Sequence, residues 1–208
     1  MNFLAHFFLA EGSPETLAGN FLGDFIKGPI TDSDFSPGIA QGIRTHRAVD
    51  AFADRHPATS ISRQRFSVRY RRISGIIVDI AYDHFLSRHW PTFSQHEISA
   101  FIDSSYAAVE LHSHLMPQHL ADIIPTMREQ NWLEETRTLN GLERIFYRMS
   151  HRSPILNTIR EARDEVEQNF DALESDFLRF FPELVAHVQE RRRMSTHSGD
   201  GRGWSAPA

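Results

Sequence analysis

Cysteine is missing from all 208 positions, which excludes disulfides, a thiol nucleophile and thiolate metal ligation together. Any metal held by this chain must sit on nitrogen and oxygen donors. Long apolar runs are missing too: none reaches the ~18–20 residues of a membrane span. The opening Met1-Asn2-Phe3-Leu4-Ala5-His6 has no basic stretch of the kind that starts a secretory leader. The expectation is a cytoplasmic protein that does not enter a membrane. An excess of positive charge is also lacking, since the net charge is -5, and this argues against nucleic acid as the partner. Strand-type alternation of apolar and polar residues is scarce, so an all-α fold is expected.

What is present fits one buried core. Hydrophobic residues make up 40% and charged residues 24%, close to the averages of globular domains. No internal repeat and no interdomain linker is apparent. A single helical domain is expected over 1–194, followed by a disordered tail over 195–208, where Ser, Gly, Pro and Ala dominate.

The helical punctuation is dense. Ser13-Pro14-Glu15 reads as an N-cap, a proline at the first helical position and an acid near the positive end of the helix. That helix runs through Phe21 to Ile26 until Gly28-Pro29, and a polar loop through Asp32, Ser33 and Asp34 leads to Pro37. The next helix carries Ile39, Ile43, Val49, Phe52 and Ala53 up to Pro57. From about Ile61 to Trp90 one helix is expected, basic at first and buried in its second half. Ser94-Gln95-His96-Glu97 has the form of a capping box before a helix through Ile98, Phe101, Ile102 and Tyr106. Ser153-Pro154 opens a last helix, with Ile159, Val166, Phe170, Leu173, Phe177, Leu184 and Val188 on one stripe and a bend at Pro182.

Histidine is the compositional oddity, with 12 copies. His46 and Asp50 are four apart, so both emerge from one helix face, with Arg47 between them. Asp79 and Asp83 repeat the spacing in the most apolar part of the chain, and His84 follows at once. Ionised carboxylates among isoleucines and phenylalanines need a cation or strong hydrogen bonds, and a divalent metal would satisfy several together. An imidazole–carboxylate donor set suits Mn, Fe or Mg, with Zn less favoured. A His-x-x-x-Asp pair is equally compatible with an exposed helix contact, and on residue chemistry alone both readings stay open. Asp24, in Gly19-Asn20-Phe21-Leu22-Gly23-Asp24-Phe25, sits among large apolar residues and needs a partner. His6 is a lone polar residue in an apolar run, for which a hydrogen-bonded core histidine is the usual explanation.

These residues carry a resemblance. Asn2-Phe3-Leu4-Ala5-His6, Gly19-Asn20-x-x-x-Asp24, His46-Arg47-x-x-Asp50 and above all Asp83-His84-Phe85-Leu86-Ser87-Arg88-His89-Trp90 resemble the acyl carrier protein phosphodiesterases, in order over most of residues 1–185. The resemblance implies a helical bundle related to the HD-domain phosphohydrolases. It also implies removal of 4'-phosphopantetheine from the serine of holo-acyl carrier protein, with Mn2+ as cofactor and Mg2+ or Fe2+ as substitutes. The chain departs from the usual HD order, because its tight pair reads Asp83-His84. Carried over by motif, Asp24, His46, Asp79, Asp83 and His84 are the expected metal ligands. His6 and Asp50 are expected to orient water or take its proton, Arg47 to neutralise phosphate, and His89, beside Arg88, to support the site or cap a helix.

An acidic protein substrate calls for positive charge near the metal, and Arg63, Arg65, Arg69, Arg71 and Arg72 stand directly ahead of the Asp79–His84 block. They are the expected docking residues. The competing readings are a nucleotide-directed HD-like phosphohydrolase and a non-catalytic helical module that holds acyl carrier protein.

Overall fold

A serine followed by a proline starts two of the long helices, as capping chemistry requires. The computed structural model describes residues 1–10, 12–31 and 33–199, the last five by their backbone alone. After helix α1 (Phe3–Ala10), Ser13 accepts the Thr16 amide at 3.3 Å and opens α2 (Pro14–Leu22). Ser36 accepts the Ile39 amide at 3.5 Å ahead of α3 (Pro37–Arg55). His56 ends α3, and its Nδ1 accepts the Ala58 amide at 3.2 Å, so that α4 (Pro57–Gln64) follows at once. The chain continues as α5 (Ser74–Arg88), α6 (Trp90–Phe93), α7 (Ile98–Leu111), α8 (Gln118–Ala121) and α9 (Ile124–Glu129). It ends with α10 (Leu139–Ser150), α11 (Ala162–Gln168) and α12 (Phe170–Gly199). Short 3₁₀ turns lie at Val68–Tyr70, Ser113–Leu115, Glu134–Arg137 and Pro154–Glu161. The described residues contain no strand, and none of their helices is long and apolar enough to cross a membrane. The fold is an all-helical single domain.

One apolar mass holds these elements. Helix α1 is buried on nearly every side, between α2, α3 and α5. From the far side, α12 lays Leu173, Phe177, Phe180, Phe181 and Leu184, all fully buried, against α3, α4 and α5. Phe177 meets Tyr82 edge-on at 5.5 Å and Phe181 face to face at 5.0 Å, the offset and edge contacts that aromatic quadrupoles favour. A buried carboxylate fixes the same seam. Asp176 accepts Ser62 Oγ at 3.0 Å and Arg65 Nε at 2.8 Å, and Arg179 completes its shell.

Several sequence expectations are corrected here. The stretch expected as one helix from Ile61 to Trp90 is broken between Gln64 and Ser74, because Ser67 gives both its amide and its hydroxyl to Glu165, at 2.8 and 2.6 Å. Ser94 bonds the His96 amide at 3.1 Å instead of forming the expected box, and α7 begins only after Glu97. The last helix is three elements, interrupted at Asn169, whose side chain donates to the Glu165 carbonyl at 2.9 Å and closes α11. Its apolar stripe nevertheless falls on the core, and Pro182 lies inside α12. Of the loop read from Asp32 to Asp34, Asp32 lies outside the described residues. Residues 195–199 of the expected tail continue α12, and 200–208 lie outside the described residues.

Helices α2 and α3 touch backbone to backbone. A Cβ on Gly42 would stand 2.3 Å from the Thr16 carbonyl oxygen and 2.5 Å from the Asn20 nitrogen, distances no side chain tolerates. Because Asp24 follows α2 and His46 lies on α3, this contact sets the spacing of two candidate ligands. Gly42→Ala is expected to lower unfolding stability by about 1–3 kcal/mol through overpacking, read as a shift of the urea midpoint at unchanged slope.

Candidate functional site

Three helices and one turn bring acidic and imidazole groups together. His6 comes from the middle of α1, Asp24 from the turn just after α2, His46 and Asp50 from successive turns of α3, and Asp79 from α5. His6 Nε2 lies 3.1 Å from Asp50 Oδ1, and His46 Nε2 lies 3.1 Å from Asp50 Oδ2 and 3.4 Å from Asp24 Oδ1. The two imidazoles stack at 3.9 Å with planes 14° apart. One ligand atom from each of His6, His46 and Asp50 falls within 4.8 Å of the others. The Met1 ammonium, fully buried, bridges Asp50 Oδ1 at 3.4 Å and Asp79 Oδ1 at 3.3 Å.

The charges in this cluster hold one another in place. Burial opposes the charge on His46, but the hydrogen bonds that it donates to Asp24 and Asp50 prevail and push its pKa up to about 9. Burial would raise Asp50, yet His46 and His6 hold its carboxyl far below the usual carboxylate range. Asp24 is lowered in the same way, with burial outweighed by His46. His6 goes the other way, because burial dominates and lowers it, only partly offset by Asp50. Burial also works against the Met1 ammonium, but Asp79, Asp50 and Asp83 raise it to about 10.

The donor set suits a divalent cation. It offers imidazole nitrogens and carboxylate oxygens without sulfur, with the Nδ1 atoms of both histidines buried and unbonded among the described residues. Asp24 and Asp79 also line a cavity of about 680 Å³, whose wall is mostly apolar: Phe3, Phe21, Phe25, Ile80, Met127 and Trp132. Arg148, His151 and Arg152 line it as well. The wall from Leu120 to Arg152 had no signal in the sequence, because it is assembled from short helices without one dominant period.

Other expected site residues stand elsewhere. Asp83 is fully buried and accepts the Leu4 amide at 2.9 Å and the Ala5 amide at 3.0 Å. Both its oxygens thus cap the start of α1 instead of joining the cluster. His84 points away, with Nδ1 2.7 Å from the Thr136 carbonyl. His89 and Arg88 both reach Glu174, each at 2.8 Å, and clamp the end of α5 to α12. Arg47 donates to the Ile26 carbonyl at 3.0 Å and braces the chain that follows Asp24. Arg63, Arg65 and Arg69 are paired with Asp54, Asp176 and Glu161, whereas Arg71 and Arg72 are exposed with no carboxylate partner among the described residues.

The model of the acyl carrier protein phosphodiesterase family matches residues 1–184. This chain belongs to that family. The acyl carrier protein phosphodiesterases of Salmonella agona, Salmonella newport and Salmonella enteritidis are each 32% identical to it over 193 residues, 92% of this chain and 99% of theirs. No solved structure matches. Membership places the chain among the phosphoric diester hydrolases.

The role of Asp83 makes a pH prediction. Burial pushes its pKa up to about 7, against the opposing pull of the Leu4 and Ala5 amides. A carboxyl raised in the folded state contributes stability that is fully present below about pH 4 and lost as pH rises through about 7. The difference in urea-unfolding stability between the parent and Asp83→Asn should follow this decline across that window.

Proposed function

We propose that this chain is a divalent-cation-dependent phosphodiesterase that releases 4'-phosphopantetheine from the serine of holo-acyl carrier protein. The observation that carries the reading is the His6–His46–Asp50 cluster, with Asp24 and Asp79 beside it on the wall of a cavity in the usual ~300–1,000 Å³ range of small-molecule sites. Three carboxylates facing an anionic phosphodiester would repel it, so the site needs added positive charge. A divalent cation held by His6, His46 and Asp50, with Asp24 next to them, supplies charge relief at the phosphoryl oxygens and a nucleophile from water at neutral pH. Mn2+ is the ion the family resemblance favours, and Mg2+ or Fe2+ would suit the same donors.

The chain's own residues do the rest. Asp50 holds both imidazoles with their Nε2 atoms turned to one place. Asp79 faces the cavity and is placed to orient the attacking water. Water adds to phosphorus, the bond from phosphorus to the serine oxygen breaks, and the proton lost by water balances the one gained by the serine. The apolar wall accommodates the pantetheine arm and keeps bulk water from the linkage, while Arg152 adds positive charge along the same cavity.

For the carrier itself we favour Arg71 and Arg72 as docking residues. They precede α5 directly, and Ile76, Asp79 and Ile80 of that helix line the cavity. Arg63, Arg65 and Arg69 are committed to intramolecular pairs and contribute less.

Release of apo-protein from holo-acyl carrier protein, followed by mass, tests the activity. Chelation should abolish it and Mn2+ should restore it, and His46→Ala or Asp50→Ala should each cut kcat/KM by roughly 10²–10⁴-fold. Turnover that survives complete chelation would dismiss the cation, and turnover of nucleotides without any apo-carrier would dismiss the substrate. Docking is tested separately. Arg71→Glu with Arg72→Glu should raise KM for the carrier by about tenfold, some 1.4 kcal/mol, and weaken its salt dependence. Hydrolysis of a small aryl phosphodiester should be spared, and equal loss of both activities would refute docking at these arginines.

A further inference from the structure

Asn20 lies on α2 with no exposed surface, and neither its side-chain oxygen nor its nitrogen has a hydrogen-bond partner within the described residues. His46 Nδ1 is buried in the same condition. Buried polar groups of this kind are ordinarily satisfied by protein or by internal water, since leaving them unmet is costly.

The packing of α2 on α3 places the two close together. The helices run side by side in parallel register: Gly42 of α3 abuts the Asn20 backbone, and Gly23 abuts the His46 ring, where a Cβ would stand 2.5 Å from Cγ. Gly23 is three residues beyond Asn20, and His46 is four beyond Gly42. Asn20 and His46 thus fall on adjoining turns of the α2–α3 seam, where one turn rises ~5.4 Å. A single water making two hydrogen bonds of about 2.8 Å spans such a gap.

The chemistry of His46 demands an acceptor there. Its Nε2 is turned to Asp50 and Asp24. Whether the ring is an imidazolium or a neutral ligand bound through Nε2, Nδ1 carries a hydrogen. Ligating histidines almost always give that second N–H to an oxygen, which fixes both tautomer and ring orientation.

We propose that Asn20 is a positioning residue for His46: one internal water accepts the His46 Nδ1–H and donates to the Asn20 amide oxygen. The hydrogen bond stands on the packing alone, while its effect on cation affinity rests on the functional reading above. Asn20→Leu keeps the branched shape of the side chain and removes the acceptor. In chelator-treated protein, long-range 1H–15N spectra should show a protected His46 Nδ1–H in the parent and exchange at least tenfold faster in Asn20→Leu. Titration with Mn2+ should give a Kd weakened by about 10–100-fold. A parent that binds no Mn2+ would fault the cation reading and leave the spectral test intact. An unchanged His46 Nδ1–H in Asn20→Leu would overturn the proposal. If that variant does not fold, Asn20→Ser and Asn20→Ala decide by the same spectra: protection retained by serine and lost by alanine supports the role, and identical behaviour of the two overturns it.

Discussion

Asp50 holds two histidines with one carboxylate, and this arrangement ties α1 to α3. One oxygen meets His6 of α1 and the other meets His46, a turn earlier on its own helix. A bridging carboxylate of this kind is tolerable at partial burial only because cationic or hydrogen-bonding groups surround it. Here these are His46, His6 and the Met1 ammonium, which together hold Asp50 ionised well below the ordinary range. The same grouping gathers two imidazole nitrogens and a carboxylate oxygen within 4.8 Å of one another, a donor set compatible with a divalent cation.

Asp83 supports that contact from below. By accepting the Leu4 and Ala5 amides, it satisfies two donors in the first turn of α1 and pins His6 at the right height. Helix α5 consequently presents two acids in different roles: Asp83 is sealed inside the core, and Asp79, one turn earlier, faces the cavity and the Met1 ammonium. The Asp79-x-x-x-Asp83 spacing shows that both lie on one face of α5, but not which of them reaches water.

The arginines illustrate the reverse situation. A run rich in Arg from 63 to 72 looks uniform, yet the fold assigns three of its members to Asp54, Asp176 and Glu161 and leaves Arg71 and Arg72 exposed. Their carboxylate partners come from α3, the Pro154–Glu161 turn and α12, so chain-local charge counting has no access to the outcome.

The residue pattern by itself determined the all-helical class, the Ser-Pro starts of α2 and α3, the face shared by His46 and Asp50, and the apolar stripe that ends at Val188. Each of these depends on periodicity, capping or backbone restriction, which act within a few residues. It also determined the donor chemistry, because a chain without cysteine has only nitrogen and oxygen to offer. Tertiary structure alone decided that His6 joins the cluster while His84 turns to the Thr136 carbonyl, that Asp83 caps a helix, and that segments 120–152 wall the cavity. Those outcomes depend on contacts between residues tens of positions apart, where a rotation of one helix by a fraction of a turn exchanges a buried hydrogen bond for a place in the site.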